Sequence, residues 1–321
     1  MSENHQSKAF EDELVSVIIP TYNRVHCIER AMRSVLAQTY RNLELIIVDD
    51  CSTDNTGEIV RRWQQDDPRV VYVPKEQNQG ASAARNAGLE KAQGSLIAFQ
   101  DSDDEWLLDK LERQVRELKN SGTEYGATFG SKLIYGHDLN YRYGDGHVAI
   151  APETHRTVVS GDLSKDMLDG NLISPQTLLI RRNEARKIGF FDVRLPCNND
   201  WEYMIRLSEV TSILFSPEPV VVAYIQSDSI HRKLRSKAIS FLVILKKHKK
   251  SFERYPSIYA ARLFSAGRYL HKCGKYKAAS ICMRRAILAY PKAPKPVVGY
   301  LQSMVFFLLH RSRTSAEPVE K

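Results

Sequence analysis

The chain has 321 residues, of which 43% are hydrophobic and 26% charged, with a formal net charge of +8; at roughly 100–200 residues per domain this is one large domain and a smaller one. No apolar run reaches the ~20 residues of a membrane-crossing helix, and the polar, acidic opening MSENHQSKAFEDE lacks the apolar stretch of a signal peptide. The five cysteines include no CxxC pair and leave one over, so a reducing, cytoplasmic compartment fits better than a disulfide framework.

Charge is unevenly spread. Residues 1–227 hold 25 Lys and Arg against 34 acids, whereas 228–313 hold 20 against 2. A basic segment of this kind points to an anionic partner, such as a membrane surface, nucleic acid or an acidic polymer.

In chain order, VSVII (15–19), LELIIVD (43–49), VVYV (70–73) and SLIAFQ (95–100) are apolar or β-branched runs of strand length. Helices are predicted between them. RVHCIERAMRSVLAQ places Ile28, Met32, Val35 and Leu36 on one face; NTGEIVRRWQQ follows Asp54 and Thr56 as N-caps; ASAARNAGLEKAQG closes on Gly94 as a C-cap. Alternating strands and helices with continuously apolar strands predict a doubly wound, mostly parallel α/β sheet with helices on both faces. Further on, LLDKLERQVRELKNSG reads as an amphipathic helix, YGATFGSKLIY as a strand, 137–160 as a long polar loop and SPQTLLIRR as a strand feeding a helix. A helix is expected from Asn199, then SILFSPEPVVVAY, and a basic helical region from Ile230.

Ligands in such sheets bind beyond the carboxyl ends of the strands. The first four strands end in Pro20-Thr21-Tyr22, Asp49-Asp50, Pro74-Lys75-Glu76 and Asp101-Ser102-Asp103, and these ends converge. The turn PTYNRVH has no G-x-G-x-x-G and there is no Walker A loop, so a diphosphate would need another holder. Asp101, Asp103 and Asp104 repel one another unless something positive intervenes. Two readings stand side by side. In one, Asp101 and Asp103 share Mg²⁺ or Mn²⁺ bridging to a nucleotide diphosphate; in the other, the segment is a solvated turn with Asp104 capping the next helix.

The segments VSVIIPTYNR, LELIIVDDCSTDNT and NQGASAARNAGLEKAQGSLIAFQDSDDEW, with NDWEYMIRL at 199–207, resemble in order the motifs of family 2 glycosyltransferases of the GT-A fold. The resemblance implies a GT-A glycosyltransferase domain at 14–228, with a nucleotide-binding half at 14–118 and an acceptor half at 119–228. Around it lie a tail at 1–13, a basic helical region at 229–312 and a tail at 313–321. It implies that Pro20, Thr21 and Tyr22 border the base, that Asp50 accepts a hydrogen bond from it, and that Arg85 approaches base or diphosphate. Asp101 would bind ribose or metal, and Asp103 would ligate the metal directly. Asp200 would be the general base of an inverting transfer, with Glu202 as substitute. The family's Glu-Asp pair appears here as Asn199-Asp200, which bears on the acceptor contact at Asn199; Trp201 would line the sugar pocket or lie buried. The plain alternatives are a core tyrosine for Tyr22, helix caps for Asp50 and Asp200, and a solvated arginine for Arg85.

Q-x-x-R-W of processive members is absent; SDSIHRKLR, with His231 and Arg232, takes its place, so single-sugar addition is expected, with a nucleotide-sugar donor and a lipid-linked or polysaccharide acceptor of cell-surface glycans. A nucleotidyltransferase would need a glycine-rich loop near the first strand, and a non-catalytic scaffold would not need the aspartates. In the tail, 264–291 resembles one tetratricopeptide-type helical pair, which needs a partner layer from the same chain or a homodimer. The KKHKK cluster and 297–309 read either as a peripheral anchor on the inner membrane face or as a basic face and a core helix. No nucleic-acid motif is present.

Overall fold

A computed structural model describes residues 13–136, 148–152, 159–225 and 234–314. The chain divides into two compact units, one of residues 1–193 with 200–228 and the other of 194–199 with 229–321.

The first unit is built on one nine-stranded sheet. Its strands are β1 (Val15–Thr21), β2 (Leu43–Asp49), β3 (Val70–Pro74), β4 (Leu96–Phe99), β5 (Glu105–Trp106), β6 (Tyr125–Gly136), β7 (Val148–Ala151), β8 (Leu178–Arg181) and β9 (Ser212–Ile225). The spatial order is β3-β2-β1-β4-β8-β6-β9-β5, with β7 paired to β6. Strands β1 to β4, β6 and β9 run one way; β5, β7 and β8 run against them. The predicted sheet is therefore present as mostly parallel, with β8 inserted antiparallel between β4 and β6. Every residue of β1 is buried, as expected for a strand covered on both faces.

The helices of this unit are α1 (Ile28–Leu36), α2 (Thr56–Asp66), α3 (Ala81–Lys91), α4 (Lys110–Asn120), α5 (Ser164–Asp169), α6 (Arg182–Ile188) and α7 (Asn199–Val210). Helix α1 buries Ile28, Ala31, Met32, Val35 and Leu36, the one-face spacing read from the sequence. Helix α3 is rich in small residues because it lies hard against β1: a methyl group on Gly88 would collide with Ile18.

Three local expectations are corrected. Helix α2 starts at Thr56 with Asn55 before it; Asp54 instead accepts from the Thr56 backbone N–H at 3.0 Å and from its hydroxyl. Helix α3 ends at Lys91, and Gly94 sits beyond it because its Cα passes against the Leu14 carbonyl and Ser16 amide, leaving no room for a side chain. The region 137–160 is not loop throughout, since β7 pairs with β6 from Lys132↔Ala151 to Tyr135↔Val148; 137–147 and 153–158 lie outside the described residues, as do His231 and Arg232.

The second unit is helical: α8 (Leu234–Lys247), α9 (Lys249–Glu253), α10 (Pro256–Lys272), α11 (Tyr276–Ala289) and α12 (Pro294–Thr314). Residues 194–199 cluster with it, and Cys197 meets Ser240 through its backbone N–H (3.2 Å). Helices α10 and α11 form the expected pair, joined at Gly274, whose φ of +72° favours glycine. The pair is covered by α12, where the His271 ring meets the Ser303 hydroxyl at 2.9 Å and Gly299 faces Met283 and Phe264.

Candidate active site

The chain runs β1, β2, β3 outward on one side and then crosses to β4 on the other side of β1. Two connections leave neighbouring parallel strands in opposite directions at that point, opening a crevice beyond their carboxyl ends. Pro20–Tyr22 and Asp101–Asp103 are at its two lips.

At the end of β1, Pro20 and Thr21 are buried while Tyr22 is 42% exposed, which corrects the alternative of a core tyrosine. The Thr21 carbonyl accepts from the Asp50 backbone N–H at 2.8 Å, tying the two strand ends together. The two adjacent aspartates after β2 then diverge. Asp49 accepts from the Tyr72 hydroxyl (2.8 Å) and the Ser52 N–H (2.9 Å). Burial, reinforced by this carboxylate, pushes the Tyr72 phenol up to about 12. Asp50 accepts from Lys75 Nζ (2.6 Å) and from the backbone N–H groups of Gln79 (3.0 Å) and Gly80 (2.6 Å). Asp50 therefore shapes the loop that launches α3 and caps no helix of its own.

Helix α3 carries Arg85, whose side chain is 9% exposed and donates to Asp101 Oδ1 at 2.7 Å. This corrects the reading of a solvated arginine, and supplies part of the positive charge demanded by the run of aspartates. The rest of the explanation lies in a turn, closed by the Asp104 N–H donating to the Asp101 carbonyl at 3.2 Å. Asp101 and Asp103 are partly exposed, whereas Asp104 is buried. Asp104 accepts from Gln176 Nε2 (2.9 Å) and the Tyr224 N–H (3.1 Å). Burial first, then the charges of Asp101 and Asp103, pushes its carboxyl up to about 8. It does not cap the next helix, which begins only at Lys110.

Beneath this segment is a polar scaffold that periodicity did not disclose. Trp106 Nε1 donates to the Gln176 carbonyl (3.1 Å), Gln114 Nε2 to the Thr177 carbonyl (2.8 Å), and the fully buried Lys110 to Gln114 Oε1 (2.6 Å). Arg30 braces the segment from the other side, donating to the Asp103 carbonyl at 2.6 Å and pairing with Glu105 at 2.9 Å. The only signal in the sequence was the unusual density of polar residues following an apolar strand.

Asp200 is partly exposed in the first turn of α7 and accepts from Asn171 Nδ2 at 2.8 Å. Asn199, just before it, is also partly exposed. Trp201 is buried, its Nε1 donating to the Met167 carbonyl at 2.6 Å, so the buried reading replaces the sugar-pocket one. Glu202 is corrected as a substitute base: it has no exposed surface and is held by Arg206 at 2.9 Å. Arg206 also donates to the carbonyls of Ile188 and Phe190, which ties α7 to the segment 188–191. Phe191 stacks on Tyr203 of α7 at 4.0 Å between ring centroids. Asn86 of α3 donates through Nδ2 to the Phe191 carbonyl (3.0 Å) and accepts through Oδ1 from the Phe191 N–H (2.8 Å). A continuous packed path thus joins the helix of Arg85 to the helix of Asp200.

The residues present fit a hard divalent cation only as part of its shell. Asp101 and Asp103 offer partly exposed carboxylate oxygens in the turn after β4, and no group of three His, Cys, Asp or Glu among the described residues could hold an ion unaided. An ion such as Mg²⁺, which keeps waters and substrate phosphates and takes one or two carboxylates, has that requirement. Thr21 Oγ1 and Arg85 Nε are buried without a hydrogen-bond partner, at a cost of about 1–3 kcal/mol each unless something answers them.

This fold is that of the GT-A glycosyltransferases. The Staphylococcus aureus protein TarS (1–349), solved with UDP-GlcNAc, superposes with a TM-score of 0.62 at 19% identity over 92% of each chain. The family model for glycosyl transferase family 2 matches residues 16–163. A glycosyltransferase of Haemophilus influenzae is 33% identical over 241 residues, covering 74% of this chain and 89% of that protein. The chain belongs to glycosyl transferase family 2. The Escherichia coli β-1,3-glucosyltransferase WfgD, whose name gives UDP-Glc as donor and α-D-GlcNAc-diphosphoundecaprenol as acceptor, is 46% identical over 112 residues. That match covers 35% of this chain and 44% of WfgD.

Proposed function

We propose that this protein is a metal-dependent, inverting glycosyltransferase that moves one sugar from a nucleotide-sugar donor, a UDP-sugar, to a lipid-linked or polysaccharide acceptor in cell-surface glycan synthesis. The observation that carries the proposal is the Arg85–Asp101 pair at the β1/β4 crossing, with Asp103 also partly exposed in the turn after β4.

In this reading Pro20, Thr21 and Tyr22 border the base, with the exposed Tyr22 ring as the stacking face. Asp50, with both oxygens already engaged, holds the loop 75–80 and the base edge together. Asp101 and Asp103 would hold Mg²⁺ or Mn²⁺, which when bound offsets charge on the diphosphate leaving group. Arg85 positions Asp101 and adds its own positive charge. Asp200 takes the proton of the acceptor hydroxyl as that oxygen attacks the anomeric carbon. The bond from that carbon to the phosphate oxygen breaks, and nucleoside diphosphate leaves with inversion. General-base help of this sort contributes typically ~10²–10⁴-fold. Asn171 holds the Asp200 carboxylate in place through its 2.8 Å hydrogen bond, and the preceding Asn199 would contact the acceptor. A cytoplasmic protein, peripheral on the membrane face, would meet a lipid-linked acceptor where it is made.

The test is thermal stabilisation by a panel of nucleotide sugars with Mn²⁺, followed by donor turnover. The proposal expects one UDP-sugar to stabilise the protein only with metal and to be turned over to UDP. Release of inorganic pyrophosphate would instead identify a nucleotidyltransferase, and no stabilisation by any nucleotide would leave a non-catalytic scaffold.

A further inference from the structure

Helix α12 is apolar on two sides. Its inner side carries Pro296, Gly299 and Ser303, all buried against its neighbours. On the opposite side, Val298, Leu301, Val305 and Leu308 are 55%, 58%, 54% and 57% exposed. At about 100° per residue their spacing of three, four and three makes one continuous stripe. A soluble helix normally turns such a face to a core, and four large aliphatic side chains in a row with more than half their surface in water call for a partner.

The charge around the stripe selects that partner. Residues 234–314 contain 18 Lys and Arg and a single acid, Glu253, a net of +17. Lys292, in the turn before α12, and Lys295, in its first turn, are exposed, and on α11 the exposed Ile281 and Leu288 stand among the exposed Arg284 and Arg285. A second copy of the chain would bring the same positive charge against itself. Nucleic acid would match the charge and leave the aliphatic stripe in water. An anionic bilayer satisfies both, with acyl chains for the stripe and headgroups for the lysines. No helix among the described residues is long and apolar enough to cross a membrane, so the geometry is that of a helix lying in the interface.

We propose that α12 docks in the plane of an anionic bilayer, with Val298, Leu301, Val305 and Leu308 below the headgroups and Lys292 and Lys295 among them. This gives a surface to the peripheral location proposed above, and it rests on that location and not on the sugar-transfer chemistry.

The experiment is flotation of the full chain with phosphatidylcholine vesicles, with and without phosphatidylglycerol, alongside the double variant Leu301→Glu/Val305→Glu and the pair Lys292→Glu/Lys295→Glu. The wild type is expected to float with phosphatidylglycerol vesicles, to be released by salt, and to bind phosphatidylcholine alone far less. Both variants should lose partition by roughly tenfold or more. Because the altered side chains are exposed, circular dichroism and the melting temperature should not change. Wild-type binding that survives Leu301→Glu/Val305→Glu would overturn the role of α12 and leave the location standing. No binding by the wild type would overturn both. A concentration-dependent dimer in sedimentation, dissolved by Leu301→Glu/Val305→Glu without vesicle binding, would assign the stripe to a second copy.

Discussion

Lys110→Met tests whether the scaffold under the aspartate segment is held by a lysine that folding strips of its proton. Lys110 is fully buried, 2.6 Å from Gln114 Oε1 and 4.2 Å from the centre of the Trp106 ring. Burial, with Arg113 nearby and only Glu117 opposing, pushes its ammonium down to about 7 from the usual 10.5. Between those values the unfolded chain holds a proton that the folded chain does not. The contribution is therefore fully present above the unfolded value and is lost as pH falls through that window towards about 7. Each pH unit in the window changes stability by up to ~1.4 kcal/mol, so wild-type stability measured against Lys110→Met should rise by roughly 2–3 kcal/mol from about pH 7 to about pH 9. Methionine keeps the contact with Trp106 and leaves Gln114 Oε1 unpartnered, a loss of about 1 kcal/mol that does not depend on pH. Other titrating groups, Asp104 included, are common to both proteins and cancel in the difference. Urea unfolding of the two proteins across this range is the assay. A pH-independent difference would refute the neutral buried lysine.

Three further outcomes are expected. Asp103→Ala should abolish metal-dependent nucleotide binding in calorimetry while leaving the melting temperature within a few degrees, because Asp103 is partly exposed in the turn after β4; undiminished affinity would remove Asp103 from the metal shell. Asp200→Asn should keep donor affinity and lower transfer by ~10²-fold or more, and turnover equal to wild type would move the base elsewhere. Glu202→Ala should act on folding: it strands Arg206 at a buried pair, costing roughly 3–5 kcal/mol, whereas a stable but inactive Glu202→Ala protein would return Glu202 to the acceptor site.

The ordering of β1 to β4 and their helices was legible because a strand covered on both faces must be apolar throughout and a helix on its surface must be apolar on one side. LELIIVD and the 28–36 face obey those constraints locally. The convergence of Thr21, Asp50 and Asp101 was legible for the same reason, since parallel strands end at one edge. The N-cap of α2 and the stop of α3 were misplaced: Asp54 and Gly94 are residue types that suit caps, but Asp54 reaches Thr56 from one position before the cap and Gly94 answers to the backbone of Leu14 and Ser16 far along the chain. The basic, helical nature of 234–314 was likewise open to composition and period, while the division of α12 into one buried and one exposed side was not.

By itself the sequence determined the strands and helices of residues 15–120 apart from the short β5, and that carboxylates would gather at one sheet edge, because periodicity and strand direction are properties of consecutive residues. Only the tertiary structure decided how the aspartates divide the work. Asp101 meets an arginine 16 residues earlier, Asp104 turns inward to Gln176 and Tyr224, and Glu202 is spent on Arg206. A carboxylate's role follows from which donors and how much water surround it, and those are set by elements that meet only when the sheet closes.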